Sequence, residues 1–411
     1  MNNNNNSNLW ITTILPFGLG YFITMAFRSV NAVLAHPIIE SLSINHADIG
    51  LITSTFLLTF AITQIPLGIL LDSWGARKTQ TLFFFIGGVG IIIFGLASNV
   101  GILALGRGIL GVGMAGGLMA AFKAVADRVQ KEKIPYYNGI ILAIGGVGAL
   151  IVTTPAKLFQ LEFGWRSLCI TLGIIAFLIA LLIYFLNRDV KQDVDKALTF
   201  SEKIKGLKSV YKDRFFWRIS PLLITSLGGF IAMQGLWLGP WLHRVVGFSQ
   251  LKSADYLLVI AIAMILGFIS GGFFSKLSAK SGLALTTIVV IGIGIHILTQ
   301  IGIVLNFYVA HYIIWFIYGY FAQVTLVNFA IIAQHFGPEL SGRAFTAVNI
   351  LIFGFAFVVQ YFFGLIVHYW PKISGSAHET GGFKVAFAAL IVLEILALAW
   401  YVVFRPSSKP R

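Results

Sequence analysis

Gly68-Ile-Leu-Leu-Asp72-Ser-Trp-Gly75-Ala-Arg77-Lys78 sits at the junction of two uncharged apolar runs, residues 49–71 and 79–97. Gly68 and Gly75 permit close helix approach and a tight turn. Asp72 places an anion at a helix end, and Arg77 and Lys78 add two cations. Reading outward from this junction, the chain repeats one pattern: a long apolar run, a short polar connection, another run.

The 411 residues are 58% hydrophobic and only 11% charged, whereas soluble domains carry roughly 25% charged residues. A soluble protein this apolar could not cover its surface, so the bilayer is the natural solvent. One crossing takes about 20 apolar residues, and a chain of this length holds about twelve. The runs fall at residues 9–34, 49–71, 79–97, 101–126, 138–161 and 166–186, then 219–242, 254–277, 283–305, 308–335, 344–368 and 383–404. The one long polar connection splits the chain into residues 1–187, a six-helix bundle, a cytoplasmic linker at 188–218, and a second bundle at 219–411. Residues 200–218 read either as an amphipathic helix on anionic lipid or as a solvated linker.

Net charge is +14. On a soluble protein that would suggest nucleic acid; here the bases lie between apolar runs, and topology accounts for them. One set of alternate loops holds Arg77 and Lys78, then Arg128, Lys131 and Lys133, then the basic central run, Lys276 and Lys280, Arg343 and the tail. The other set holds only Lys157, Arg166, Arg244, Lys252, Lys372 and Lys384. Both termini are therefore expected in the cytoplasm of a bacterial inner membrane. The Asn-rich start, Met1 to Asn8, has no basic n-region, so the first run is expected to be a retained helix. Cys169 is the single cysteine and is expected to be buried and inert. No phosphate-binding loop, metal-ligand cluster or nucleophile constellation is present in the sequence. The expectation is no enzyme, no cofactor, no metal and no catalytic residue, with a gradient or an exchanged solute as energy source.

The junction resembles the signature loop of the major facilitator superfamily, G-x-L-x-D-x-x-G-x-R-K. Arg107-Gly-Ile-Leu-Gly111-Val-Gly113-Met-Ala115 is similar to that family's R-x-x-x-G-x-G-x-A pattern, and Gly164-Trp165-Arg166 to another of its elements. The resemblance implies an all-α integral membrane fold of twelve transmembrane helices in two pseudo-symmetric six-helix bundles. It also implies rocker-switch alternating access around a central cavity, and a monomer. Gly68, Asp72, Gly75, Arg77, Lys78 and Arg107 would form a conformational lock, Asp72 docking on a helix N-terminus near Ser341-Gly342-Arg343. Alternatively Arg77 and Lys78 are only topology charges. The stretch Gly272–Gly282 looks like a degraded repeat with Lys276 in the aspartate's place. The family's proton-antiporter subgroup carries a Gly-Pro element in helix 5; here Gly146 is followed by Val147.

Ionisable residues inside a membrane are expensive and are functional candidates by default. Arg28 can grip a carboxylate or phosphate bidentately, or snorkel outward if His36 and Pro37 end its helix. In the family, transporters of organic phosphates carry an arginine in this helix. Asn31 stands nearby. Arg107 bonds backbone carbonyls or takes part in coupling. Lys123 lines an anion path or pairs with Asp127. Glu394 is buried and protonated, or a proton-coupling site. In the second half, Gln234 and Trp237 share a helix face, with Tyr320 and Gln323 as further ligand candidates. Trp241 is expected in the interfacial belt, His296 and His311 near outer helix ends, and Asn349 and Gln360 in interhelical bonds. The first half thus offers bases and no carboxylate to a passenger. The expected function is secondary transport of a small anionic organic solute, by symport with a proton or by exchange. Proton-coupled drug efflux is the alternative, and a transporter-like sensor is the alternative of another class.

Overall fold

The computed structural model describes residues 9–130, 133–187, 200–307, 311–374 and 380–404. The Asn-rich start and residues 188–199 of the linker lie outside the described residues, as do the side chains of Asp72 and Lys276. The described residues fold into helices, in two compact units, Met1–Thr199 and Phe200–Arg411. Eleven helical stretches among the described residues are long and apolar enough to cross a membrane. The shorter apolar helix is Tyr136–Ile151.

The first unit contains α1 (Leu15–Ser29), α2 (Asn31–Leu42), α3 (His46–Ser73), α4 (Gly75–Gly95), α5 (Val100–Met114), α6 (Gly117–Ala126), α7 (Ile134–Ile151) and α8 (Thr154–Leu186). Polar side chains cap the starts of α3 and α5. Asn45 and Asp48 form a reciprocal capping box at α3, and the Asn99 side chain accepts from the Ile102 N–H at α5; both satisfy donors that a helix start leaves free. Gly75, at φ 78°, makes the turn from α3 into α4.

Small residues let backbones meet where α4 crosses α5. A Cβ on Gly113 would stand 2.2 Å from the Gly87 nitrogen, and one on Gly106 2.7 Å from the Phe94 nitrogen. Packing of this kind joins helices where lipid offers no hydrophobic drive. In the same way α7 closes on α1, Gly148 meeting the Phe22 carbonyl.

Three expected boundaries are corrected. The first helix does not end at His36–Pro37: after a break at Val30 it continues through Pro37 to Leu42. Proline is tolerated inside a spanning helix because neighbouring groups re-satisfy the backbone. The fifth run breaks at Val152 and Thr153 and resumes at Thr154. It is followed without a loop by the sixth, because Gly164, at φ 81°, turns the backbone inside α8. Lys157, expected in a loop, therefore lies on α8, where it is buried and donates to Gln160 Oε1 at 2.5 Å.

The second unit contains α9 (Phe200–Lys212), α10 (Arg214–Val245), α11 (Gln250–Ser281), α12 (Leu285–Val304), α13 (His311–Phe321), α14 (Val327–Ser374) and α15 (Thr380–Val403). Asp213 caps α10 by accepting from the Phe216 N–H. Three π-helical turns interrupt α10, at Ile224–Gly228, Met233–Trp237 and Trp241–Val245. A 3-10 turn, Ala322–Leu326, separates α13 from α14. Gly337, at φ 67°, breaks α14 into two pieces. The amphipathic α9 buries Leu207 and Val210 and lays Gly206 against the Arg343 side chain, while Lys205 and Lys208 are exposed.

Candidate functional site

In the first unit the polar candidates gather around the Val30 break. Arg107 on α5 is 1% exposed. Its Nη1 donates to the Phe27 carbonyl at 3.2 Å, just before α2 restarts. Its guanidinium lies 4.8 Å from the Phe94 ring centre and 5.9 Å from that of Phe56. Aromatic faces spread the charge, yet Nε and Nη2 are buried with no partner. Asn31 donates to the Thr53 hydroxyl on α3 at 2.9 Å and keeps its own carbonyl unpaired.

Arg28 is half-buried on α1, and its Nε is buried without a partner. The Tyr21 hydroxyl is its electrostatic neighbour. Among the described residues no carboxylate pairs with Arg28 or Arg107. The helix runs on past Arg28 to Leu42, about 21 Å of backbone rise. Lys123 stands apart from this group. Its Nζ is 2.8 Å from Asp127 Oδ1, both partly buried, so it forms the i,i+4 pair.

The motif residues divide. Gly68 lies within α3 and Gly75 in the turn after it. Arg77 donates to the Tyr184 carbonyl at 2.9 Å and covers the Tyr184 ring at 4.5 Å, tying α4 to the end of α8. Lys78 is exposed. At the same end of the unit, Arg128 donates to Asn187, which donates to the Thr12 carbonyl. At the other end, Arg166 donates to the Ala97 carbonyl and Trp165 to the Ser41 hydroxyl.

In the second unit, Gln234 Nε2 has only the Met264 sulfur at 3.6 Å, and Gln323 Nε2 has no partner. The Gln323 stem packs on Gly267, so both side chains meet one face of α11, since Met264 and Gly267 are three residues apart. Tyr320 is half-buried, its ring stacked 6.2 Å from Phe316. Trp237 is fully buried, stacked on Phe363 at 4.7 Å, and donates to the Gln360 carbonyl at 3.1 Å. Gln360 in turn donates to the Ala232 carbonyl at 3.1 Å, beside a π turn that breaks the regular ladder.

Two expected placements are corrected. Trp241 is fully buried against Phe387, at 5.1 Å, so it is no part of an interfacial belt. His296 is 2% exposed and stacks 5.0 Å from Tyr318. It faces Glu394 on α15, at 4.0 Å from Nε2 to Oε1. Gln300 on α12 donates to Glu394 Oε2 at 2.5 Å. The sequence carried the one available signal, His296 and Gln300 at i,i+4 on one helix face. Among the described residues no three His, Cys, Asp or Glu side chains could hold a metal ion.

The sequence profile of the Major Facilitator Superfamily matches residues 17–361. The chain belongs to this superfamily. As a superfamily member it is a multi-pass membrane transport protein. It is 24% identical to the hexuronate transporter of Escherichia coli, over 92% of this chain and 90% of that one. It is 30% identical to "Probable sulfoacetate transporter SauU" of Cupriavidus necator, but over 42% of this chain and 40% of that protein's length. Its fold matches the crystal structure of a D-xylose-proton symporter with TM-score 0.74 at 15% identity, over 97% of this chain and 98% of that one.

Proposed function

We propose that this superfamily member is a secondary active transporter of a small organic anion, working by alternating access, with Arg28 as a substrate ligand. One observation carries the sign of the passenger: Arg28 presents a partly buried guanidinium whose Nε has no partner and that no carboxylate neutralises among the described residues. An uncompensated cation at this depth is costly, and an anionic ligand offsets the cost. Asn31, with its free carbonyl, suits a hydroxyl on the same solute. Within the second unit, Gln234 and Gln323 are the amide donors proposed as ligands. Tyr320, half-buried, is the aromatic candidate of the second unit, whereas Trp237 is enclosed by Phe363 and the Gln360 carbonyl. In the first unit Lys123 is held by its Asp127 pair. The names of the relatives point the same way, since hexuronate and sulfoacetate are small anions.

The basic end of the first unit, with Arg77 and Arg128, supports a cytoplasmic location for that end under the positive-inside rule. In this reading Gly68, Asp72, Gly75, Arg77, Lys78 and Arg107 steady one closed state.

The test is a thermal-shift and binding series on purified protein with glucuronate, galactonate and sulfoacetate, and glucose as neutral control. The expected result is stabilisation by at least one anion, none by glucose, and loss of the anion effect in Arg28→Gln. Stabilisation by lipophilic cations alone would overturn the reading. Counterflow in proteoliposomes separates a transporter from a receptor, because a receptor binds without flux.

A further inference from the structure

Four helices of the second unit converge on one buried carboxyl. Glu394, on α15, is 1% exposed. Gln300 on α12 donates to its Oε2 at 2.5 Å. Oε1 has no hydrogen bond and faces His296 Nε2, also on α12, at 4.0 Å. Ser226 on α10 faces the same carboxyl but keeps its hydroxyl outside hydrogen-bonding geometry. Tyr318 on α13 stacks on the His296 ring and lies in the field of Glu394. His296 Nδ1 has no hydrogen-bonding side chain.

No Lys or Arg interacts with Glu394 among the described residues. Arg218, on the packed helix α10, donates to the Tyr401 carbonyl. That carbonyl lies seven residues along α15 from Glu394, about 10 Å at the helical rise. Lys384, on α15 itself, lies ten residues the other way, about 15 Å. Glu394 and His296 therefore settle their charge between themselves. With one proton on the pair, the net charge is zero, whichever member holds it. With none the pair is an anion, and with two a cation, in surroundings that solvate neither.

We propose that Glu394 and His296 form a proton-binding site that loads one proton per transport cycle. The inference rests on the transport reading above and names where its driving proton is held. The backbone around the pair favours movement. Ser226 sits in the π turn Ile224–Gly228, and the 3-10 turn Ala322–Leu326 follows the helix that carries Tyr318. Interrupted helices beside a site are where transporter backbones rearrange. A small rotation of α12 against α15 would close the 4.0 Å gap to a hydrogen bond or open it. When the cluster opens to water on one side, the pair takes a proton from water. When it opens on the other side, it returns the proton to water, which solvates the emptied anion. While closed, the proton is shared between carboxyl oxygen and imidazole nitrogen with no other atom exchanged.

The test uses full-length protein in proteoliposomes, with radiolabelled glucuronate, galactonate and sulfoacetate as probes. Accumulation under an imposed pH gradient is compared with counterflow at equal pH. One coupled proton allows about tenfold accumulation per pH unit. Glu394→Gln is expected to abolish accumulation and keep counterflow within about twofold, because exchange needs no net proton movement. His296→Gln is expected to show the same split. Wild-type accumulation in Glu394→Gln overturns the site. So does loss of counterflow and accumulation together in a Glu394→Gln protein of unchanged melting temperature, which would assign the carboxyl to the conformational change itself and not to proton loading. If Glu394→Gln fails to fold, His296→Gln decides, and unchanged accumulation there overturns the pair. Wild-type protein with no flux for any probe would instead sink the transport reading itself.

Discussion

The two units bury opposite charges and treat them differently. In the first, Arg28 and Arg107 are buried wholly or in part with no carboxylate paired to them, while in the second Glu394 is buried with no Lys or Arg paired to it. A charge in the membrane needs a partner, which can be another side chain, a backbone carbonyl, as Arg107 finds at Phe27, or a mobile ligand. A solute anion can complete the first, and a proton the second. The largest expected effect breaks this contrast at its first member. Arg28→Gln should cut uptake of the best anion about a hundredfold, roughly 2.7 kcal/mol, with the melting temperature almost unchanged. Arg28→Lys should recover only part, since a point charge cannot bind bidentately. Initial uptake rates measure it, and equal rates in wild type and Arg28→Gln would end the comparison.

A second test asks what holds the first unit's cations in place. Gly113 brings α5 onto α4, and a Cβ there would meet the Gly87 backbone at 2.2 Å. Gly113→Ala should destabilise by about 2–3 kcal/mol, because backbone cannot give way as a flexible side chain can. Gly139, with nothing within 4 Å of an added Cβ, is the control, and its alanine variant should stay within about 0.5 kcal/mol. Thermal melts in detergent compare the two.

Arg107 sharpens the contrast within one unit. It bonds the Phe27 carbonyl and lies over two rings, whereas Arg28 has neither contact. Arg107→Gln should therefore cost about 2 kcal/mol of stability, and lower the amount of active protein more than its affinity. An affinity loss as large as that of Arg28→Gln would place both arginines on the solute.

The fold was readable because its signals are local. Apolar runs, the 68–78 junction and glycines such as Gly164 and Gly337 are each decided within a few residues. The interruptions at Val30 and Val152 carried no such mark, since neither position is a glycine or proline. Arg28 stood out by type alone, because a guanidinium in an apolar run needs no partner to be noticed. The Glu394 cluster was half legible. The carboxyl was visible, but Gln300 is 94 residues away in sequence, and long-range pairing leaves no local pattern. His296 was misplaced for the same reason: distance from a helix end predicts depth along the membrane and says nothing of which face is covered. Lys157 was read as a loop residue because the turn at Gly164, not the basic residue before it, separates the fifth and sixth runs.

The smallest effect separates charge from polarity in the second unit. Gln360 is as buried as Glu394 and bridges α14 to α10, donating to the Ala232 carbonyl and accepting from Trp237. It carries no proton that could be exchanged. Interhelical bonds of this kind contribute about 0.6 kcal/mol and at most about 2. Gln360→Leu also leaves the Ala232 carbonyl without its side-chain donor, so the expected loss is about 1 kcal/mol in a thermal melt. Trp237 keeps its partner, because that partner is the Gln360 backbone. The ratio of driven accumulation to counterflow should not change. A shift in that ratio equal to that of Glu394→Gln would mean that coupling answers to any disturbed polar contact in this unit, and Glu394 would lose its special standing.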